Sequence, residues 1–173
     1  CDLHYSDGSP SALAPRQVLK NIIGLLDEEH LRAVVAPELE FYLCEQNLDP
    51  DLPLKTPIGK SGRREKGSRV FGIDAVNEFD DLTDDIYDYC EILKIGVDTL
   101  IHESGPSQIE INLNHGDPLQ LADQAFMFKR AVRQVALKHG IHATFMSKPY
   151  QGHPGSSMHI HQNIISTKTN KNL

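Results

Sequence analysis

Metal-capable side chains occupy alternate positions in short segments whose apolar residues have the two-residue period of a β-strand. These side chains are Glu38, Glu40, Glu110, His159 and His161. Residues two apart on a strand point to the same face, with Cα atoms roughly 6.5–7 Å apart. Their side chains can therefore converge on one ion or bridge two adjacent ions, and Glu103, at the end of a further predicted strand, adds a fourth carboxylate.

The carboxylates indicate which ions such a site would hold. Like charges on one face raise each other's pKa and destabilise a fold, and divalent cations remove that cost. Oxygen ligands with one or two imidazoles suit Mg²⁺ or Mn²⁺ better than a structural zinc ion, which uses more Cys or His. Two such ions can hold a phosphoryl group during its transfer.

Either motif by itself, Glu-x-Glu or His-x-His, is more often a solvent-exposed pair than a metal site. The apolar neighbours change this interpretation, because Leu39 and Phe41 accompany the first motif and Met158 and Ile160 the second. We expect each strand to turn one face to a core and the other face to a polar site.

The elements that position these residues follow from periodicity and from turn residues. Helices are predicted at about 15–29, 82–95 and 118–139, strands at about 32–43, 97–103, 108–114, 141–146 and 157–165, and a long loop at about 45–69. Two pairs of strands lack a crossover helix between them. The pattern therefore predicts an α+β domain with an antiparallel or mixed β-sheet flanked by helices.

Local signals predict where the helices begin and end. Asp117 is expected to cap the third helix, and Asp80 or Asp81 is expected to cap the second, with Gly96 as its stop. The strand at 108–114 alternates polar and apolar residues, which predicts that it is half-buried.

Composition narrows the class of protein. The 173 residues are enough for one domain with a core, and the net charge of -7 disfavours a nucleic-acid partner. No apolar run approaches the roughly 18 residues that a membrane span requires, so no membrane insertion is expected. Cys1, Cys44 and Cys90 form no C-x-x-C pair, which favours a reducing cytoplasm over a disulfide framework.

Other motifs carry less weight. Residues 62–67 have the glycine spacing of a phosphate-binding loop, but Ser68 follows without a lysine and no strand and helix flank them. The basic stretch 60–69 is interpreted as a solvated loop rather than an anion site. G-x-S-x-G, H-E-x-x-H and G-x-G-x-x-G are all absent from the sequence, so a serine hydrolase, a zinc protease and a dinucleotide-binding protein have little support.

Four segments resemble, in their order along the chain, the successive motifs of the glutamine synthetase family. They are residues 37–41, 102–112, 143–149 and 155–161. The resemblance is nearest to the branch that includes γ-glutamylpolyamine ligases. It implies the fold of a glutamine synthetase catalytic domain and an ATP-dependent ligase reaction: ATP phosphorylates the γ-carboxylate of glutamate, and ammonia or an amine then displaces phosphate.

The resemblance also implies how the metal ligands divide between two ions, Mg²⁺ or Mn²⁺. Glu40, Glu103 and Glu110 would hold one ion. Glu38 and His159 would hold the other, next to the phosphates of ATP.

Substrate positions and assembly are implied in the same way. Asp98, His161 and Asn163 would lie on the nucleotide side of the site, and Gly155 would contact glutamate through its backbone. Active sites of this family form between neighbouring subunits of a ring, so the full-length protein is expected to be a homo-oligomeric ring.

The chain departs from the usual family pattern at Ser107, Pro154, Ser157 and Asn163, which bears on substrate preference. Family members are much longer, so residues 1–173 are expected to be a partial catalytic domain that lacks the N-terminal β-grasp domain and the C-terminal part of the catalytic domain. Such a segment is expected to be inactive alone. Two alternatives are a non-catalytic structural or regulatory member of the family and an enzyme like glutamate–cysteine ligase.

Overall fold

The computed structural model describes residues 1–67 and 69–173. Its elements, in chain order, are α1 (Pro15–Glu28), β1 (Leu31–Glu45), α2 (Ile73–Val76), a 3₁₀ turn (Asn77–Phe79), α3 (Asp80–Ile92), β2 (Val97–His102), β3 (Gln108–Leu113), α4 (Pro118–Lys138), β4 (Ile141–Thr144), β5 (Met158–Ser166) and β6 (Lys171–Asn172). No helix of the described residues is both long enough and apolar enough to cross a membrane.

The chain divides into two compact units. The first comprises Cys1–Ala36, His115–Asp123 and Ile160–Leu173, and the second comprises Pro37–Asn114 and Gln124–His159. In the first unit β5 pairs with β6 in antiparallel orientation. The candidate metal ligands at 38, 40, 103, 110 and 159 all belong to the second unit.

The second unit is built on antiparallel strand pairs. β1 pairs with β3 along one side and with β4 along the other, and β2 continues the sheet beyond β3. Ser157, the residue just before β5, joins β1 through a backbone hydrogen bond of 3.1 Å from the Glu40 amide to the Ser157 carbonyl. These pairings, together with the helices, confirm the predicted α+β fold.

An apolar core fixes β1 in the second unit. Leu39, Phe41 and Leu43 are buried, and Phe145 lies between Phe41 and Phe128 of α4, with ring centroids 5.1 and 6.4 Å away. Full burial of one such side chain stabilises a fold by about 1.5–3 kcal/mol. The face of β1 opposite to this core carries the carboxylates, and its orientation is therefore set by apolar packing.

The prediction that β3 is half-buried was wrong. Its polar residues Gln108 and Glu110 are as buried as the apolar Ile109 and Ile111. The polar face of the strand is covered because Gln108 bonds to Glu40 and to the carbonyl of Gly155. Alternation along a strand cannot reveal that a distant segment covers its polar face.

The helix predictions were right in extent and partly wrong at the ends. α4 begins at Pro118, and Asp117 Oδ1 accepts a hydrogen bond from the amide of Gln120, as expected for a cap. α3 starts at Asp80, so Asp80 and Asp81 lie in its first turn and do not cap it. Its end is marked by Lys94 in the left-handed region, before the predicted stop at Gly96.

The apolar faces expected of two elements are exposed. In β5, Met158 is 45% and Ile160 56% exposed, which contradicts the prediction that these residues face a core. In α1, Val18, Ile22 and Leu25 are also exposed, although the extent of the helix agrees with the prediction. Amphipathic spacing predicts an apolar face but not the element that covers it.

Candidate metal centre

The side chains of Glu38, Glu110 and His159 converge in the second unit. Each offers a ligand atom, and these atoms lie within 4.8 Å of one another. The strand register explains the meeting, because β1 and β3 place Glu40 opposite Glu110, and Glu38 follows on the same face of β1. Three ligands from three strands therefore approach one point.

The imidazole of His159 faces carboxylates with one nitrogen and a hydroxyl with the other. Its Nδ1 lies 3.3 Å from Glu38 Oε2 and 3.8 Å from Glu40 Oε1. Ser157 Oγ donates its one hydrogen to Glu40 Oε1 at 2.7 Å. In the 3.2 Å contact between Ser157 Oγ and His159 Nε2, the imidazole N–H is therefore the donor and the hydroxyl oxygen is the acceptor. His159 Nδ1 faces the oxygens of Glu38 and Glu40, so a cation placed between these groups would have an imidazole nitrogen and carboxylate oxygens as ligands.

Protein donors hold the carboxylate of Glu40. Gln108 Nε2 donates to Glu40 Oε2 at 3.0 Å, and the amide of Ser157 lies 3.3 Å from the same oxygen. Glu40 is 8% exposed. Its position is therefore set by neighbouring hydrogen-bond donors.

Negative charge accumulates around Glu110. Burial raises the pKa of Glu110, and the charges of Glu38 and Glu103 raise it further, against a smaller lowering by a hydrogen bond from Asn112. Burial also raises the pKa of Tyr42 to about 12, with contributions from Glu40 and Glu103. A divalent cation bound by oxygen ligands and one imidazole fits this donor set.

Glu103 follows the end of β2. Its Oε2 accepts a hydrogen bond of 3.0 Å from the amide of Ser104. Its effect on the pKa of Glu110 shows that the two carboxylates act on each other. Among the described residues, Glu38, Glu110 and His159 form the group whose ligand atoms lie within 4.8 Å of one another, and the division of the five ligands between two ions stays a prediction.

The segment that carries Gly155 is packed closely against the strands. A Cβ on Gly155 would lie 2.6 Å from the carbonyl oxygen of Ser147, so this position has room only for glycine. The same carbonyl accepts a hydrogen bond from the amide of Ser156 at 2.9 Å. The hydroxyl of Tyr42 donates to the Pro154 carbonyl at 2.8 Å.

The three residues predicted on the nucleotide side lie on two strands, and their role stays a prediction. Asp98 is exposed on β2, at the irregularity in register between Val97 and Thr99. Burial raises the pKa of Tyr87 on α3, and the charge of Asp98 adds to this effect. His161 and Asn163 are exposed residues of β5 in the first unit, where Asn163 Oδ1 accepts a 3.4 Å hydrogen bond from Asn172.

Residues 12–173 match the family described as "Glutamine synthetase, catalytic domain". The chain belongs to this family. It is 41% identical over 167 residues to "Gamma-glutamylputrescine synthetase PuuA" of Escherichia coli strain K12, which covers 95% of the chain and 35% of that relative. It is also 36% identical over 157 residues to a glutamine synthetase of Pyrococcus abyssi, which covers 91% of the chain and 34% of the relative.

Solved structures of the glutamine synthetase type share the fold. "Apo GmaS without ligand" superposes with a TM-score of 0.82 at 28% identity and covers 99% of the chain and 38% of that protein. A Plasmodium falciparum glutamine synthetase, at 24% identity, has the same TM-score and shows the fold alone. The chain spans about a third of the length of the curated relatives it matches. The family match and the relative named gamma-glutamylputrescine synthetase confirm the predicted family and its resemblance to the γ-glutamylpolyamine ligase branch.

Sequence reasoning missed a buried group beside Glu103 in this glutamine synthetase-like domain. His102 Nε2 lies 2.9 Å from Glu65 Oε2, and its Nδ1 lies 2.7 Å from the carbonyl of Glu103. The amide of Ser107 donates to the same Glu65 oxygen at 2.6 Å. Glu65 belongs to the predicted long loop, and the one signal it gave was an acidic residue within a basic stretch.

Proposed function

We propose that this chain forms part of an ATP-dependent ligase that joins ammonia or an amine to the γ-carboxylate of glutamate through a γ-glutamyl phosphate. The observation that carries the proposal is the convergence of Glu38, Glu110 and His159, with Glu40 alongside, in a chain that belongs to the glutamine synthetase family. Phosphoryl transfer to a carboxylate gathers negative charge, which such a site can balance only with bound cations.

The proposed ions are Mg²⁺ or Mn²⁺, held by Glu38, Glu40, Glu103, Glu110 and His159. When bound, they neutralise charge on the transferred phosphate and polarise the carboxylate that accepts it. The protein's own part is to orient the ligands: Gln108 and Ser157 fix Glu40, and His159 presents Nδ1 toward Glu38. The raised pKa of Glu110 supports a cation here, because a cation restores the charged carboxylate.

Substrate contacts, compartment and assembly complete the proposal. Gly155 contacts glutamate through its backbone, and Asp98, His161 and Asn163 lie on the nucleotide side. The acceptor is ammonia or an amine, and the relative named for putrescine supports an amine. A cytoplasmic location is supported by three free cysteines, and a homo-oligomeric ring of the complete protein is a prediction that light scattering can check.

Metal binding tests the proposal on the chain itself. Titration with Mn²⁺, followed by the loss of its free electron paramagnetic resonance signal, is expected to show saturable binding that E38Q and H159A weaken at least tenfold, as removal of a ligand should. H115A is the matched control, because His115 is an exposed histidine with no proposed role. Equal binding by H159A and H115A would contradict the proposed site.

Catalysis is tested on the complete product of the gene that contains this chain. We expect ADP release that requires glutamate and an acceptor, with ammonia, putrescine and cysteine compared as acceptors and the γ-glutamyl product identified by mass. Metal-dependent binding without any acceptor-dependent ADP release would favour a non-catalytic member of the family. A product formed only with cysteine would favour the glutamate–cysteine ligase alternative.

A further inference from the structure

The side chain of Gln108 joins two parts of the candidate site. It is 1% exposed on β3. Its Nε2 donates to Glu40 Oε2 and to the carbonyl of Gly155, both at 3.0 Å, and lies 3.4 Å from Ser156 Oγ. Its Oε1 accepts a hydrogen bond of 2.9 Å from the amide of Gly105. One buried amide therefore bonds a proposed metal ligand, a proposed substrate segment and the turn before β3.

These partners admit one orientation of the amide. An amide nitrogen has two hydrogens to donate and the oxygen can only accept. The carboxylate of Glu40 and the carbonyl of Gly155 both require a donor, whereas the amide of Gly105 requires an acceptor. A flipped amide would set oxygen against two acceptors, so the nitrogen serves Glu40 and Gly155 at 3.0 Å, with Ser156 Oγ as a longer contact at 3.4 Å.

Other side chains of similar size would not serve at this position. Glutamate would place a carboxylate against Glu40, and like charges in a buried site repel. Methionine would fill the space but leave the carbonyl of Gly155 and the amide of Gly105 without their bonds, and buried groups that lose a partner are costly.

We propose that Gln108 is a positioning residue that holds the Glu40 carboxylate and the Gly155 segment in one fixed geometry. Tyr42 supports the same segment from β1 through its bond to Pro154. The roles of Glu40 as metal ligand and of Gly155 as glutamate contact rest on the proposed function. The hydrogen bonds by which Gln108 connects these two residues do not depend on it. Removal of the link is expected to loosen the segment and to weaken metal binding together.

The test compares Q108M with Q108E and with a matched control, Q124M. Gln124 also donates its side-chain amide to a carbonyl within the second unit, that of Lys94, but on the exposed surface of α4. Hydrogen–deuterium exchange of the amides at 155–157 is measured without metal. Protection of the α4 amides in the same experiment shows whether each variant is folded. Mn²⁺ affinity is then measured by titration.

Q108M and Q108E are expected to speed exchange at 155–157 at least tenfold, and Q108M is expected to weaken Mn²⁺ binding by about 10–100-fold, the usual effect of losing a group that orients a ligand. α4 should keep its protection, and Q124M should match wild type in both measurements. Wild-type exchange at 155–157 in a folded Q108M would overturn the proposal, and Q108E decides the question if Q108M does not fold. If the wild-type chain binds no Mn²⁺, the proposed metal site fails, whereas the metal-free exchange comparison still supports or overturns the role of Gln108.

Discussion

Gly105 lies where the turn before β3 meets the ring of Tyr42, and its replacement by alanine should be costly. A Cβ at this position would lie 1.8 Å from Tyr42 Oη and 2.4 Å from Cζ, whereas ordinary contacts begin at 3.4 Å. The ring cannot yield easily, because Tyr42 is fully buried and packs edge-on against Tyr150, with ring centroids 5.1 Å apart. G105A must therefore displace either the turn or the tyrosine.

The expected cost follows from the two things that are lost. Forcing an extra methyl group into a packed site costs about 1–3 kcal/mol. Moving the Tyr42 hydroxyl away from the Pro154 carbonyl removes a hydrogen bond worth about 0.5–1.5 kcal/mol. Alanine returns about 0.4–1 kcal/mol by restricting the unfolded chain. We therefore expect G105A to lower the free energy of unfolding by about 2–3 kcal/mol.

The free energy of unfolding of G105A and wild type is measured by urea unfolding, followed by far-ultraviolet circular dichroism because the chain has no tryptophan to report by fluorescence. Gly24 provides the control: a Cβ there meets nothing within 4 Å, and the residue lies inside α1. G24A should stabilise the protein by about 0.5–1 kcal/mol, as alanine does within a helix. Y42F removes the hydroxyl that the new methyl group would strike first.

The double variant G105A/Y42F distinguishes a local clash from a general loss of stability. If the clash is with the hydroxyl, the two changes should cost less together than their sum, by more than about 0.5 kcal/mol, because residues in contact are not additive. Strict additivity with Y42F would place the clash on the ring, whose Cζ lies 2.4 Å from the new Cβ, rather than on the hydroxyl. A G105A protein as stable as wild type would refute the packing described for this turn.

Two further predictions concern titratable groups. The pKa of Glu110 is raised above its ordinary value of 4.5 in the folded chain. Between these two pKa values the folded state binds more protons than the unfolded state. The stability of the metal-free protein should therefore fall as the pH rises through this window. E110Q should reduce that slope in urea midpoints measured in EDTA from about pH 4 to 7, and an unchanged slope would show that another group causes it. Burial raises the pKa of Cys44 and Cys90 to about 11, so iodoacetamide should modify the exposed Cys1 first in native protein and all three thiols in urea. Mass spectrometry counts the labels, and early native labelling at Cys44 would show that β1 opens readily.

Local patterns were enough to predict much of the fold. α4 carries its own signals, an aspartate cap before a proline and an apolar stripe at helical spacing, and both act within a few residues of the chain. Alternation placed Leu39, Phe41 and Leu43 on one face of β1 and the carboxylates on the other. The same period of two singled out Glu38, Glu110 and His159 as candidates before any contact between them was known.

Only the tertiary structure showed what those residues face. The pairing of β1 with β3 brings Glu110 opposite Glu40, and the segment at 155–157 covers the polar side of β3, which the pattern had assigned to solvent. Gln108 and Glu65 gained their partners from segments about 40 or more residues away in sequence, and periodicity carries no information about such pairs. Met158 and Ile160 show the opposite case, because they were predicted to face a core and are exposed. An apolar pattern indicates that burying a face is favourable, but it does not identify the surface that buries it.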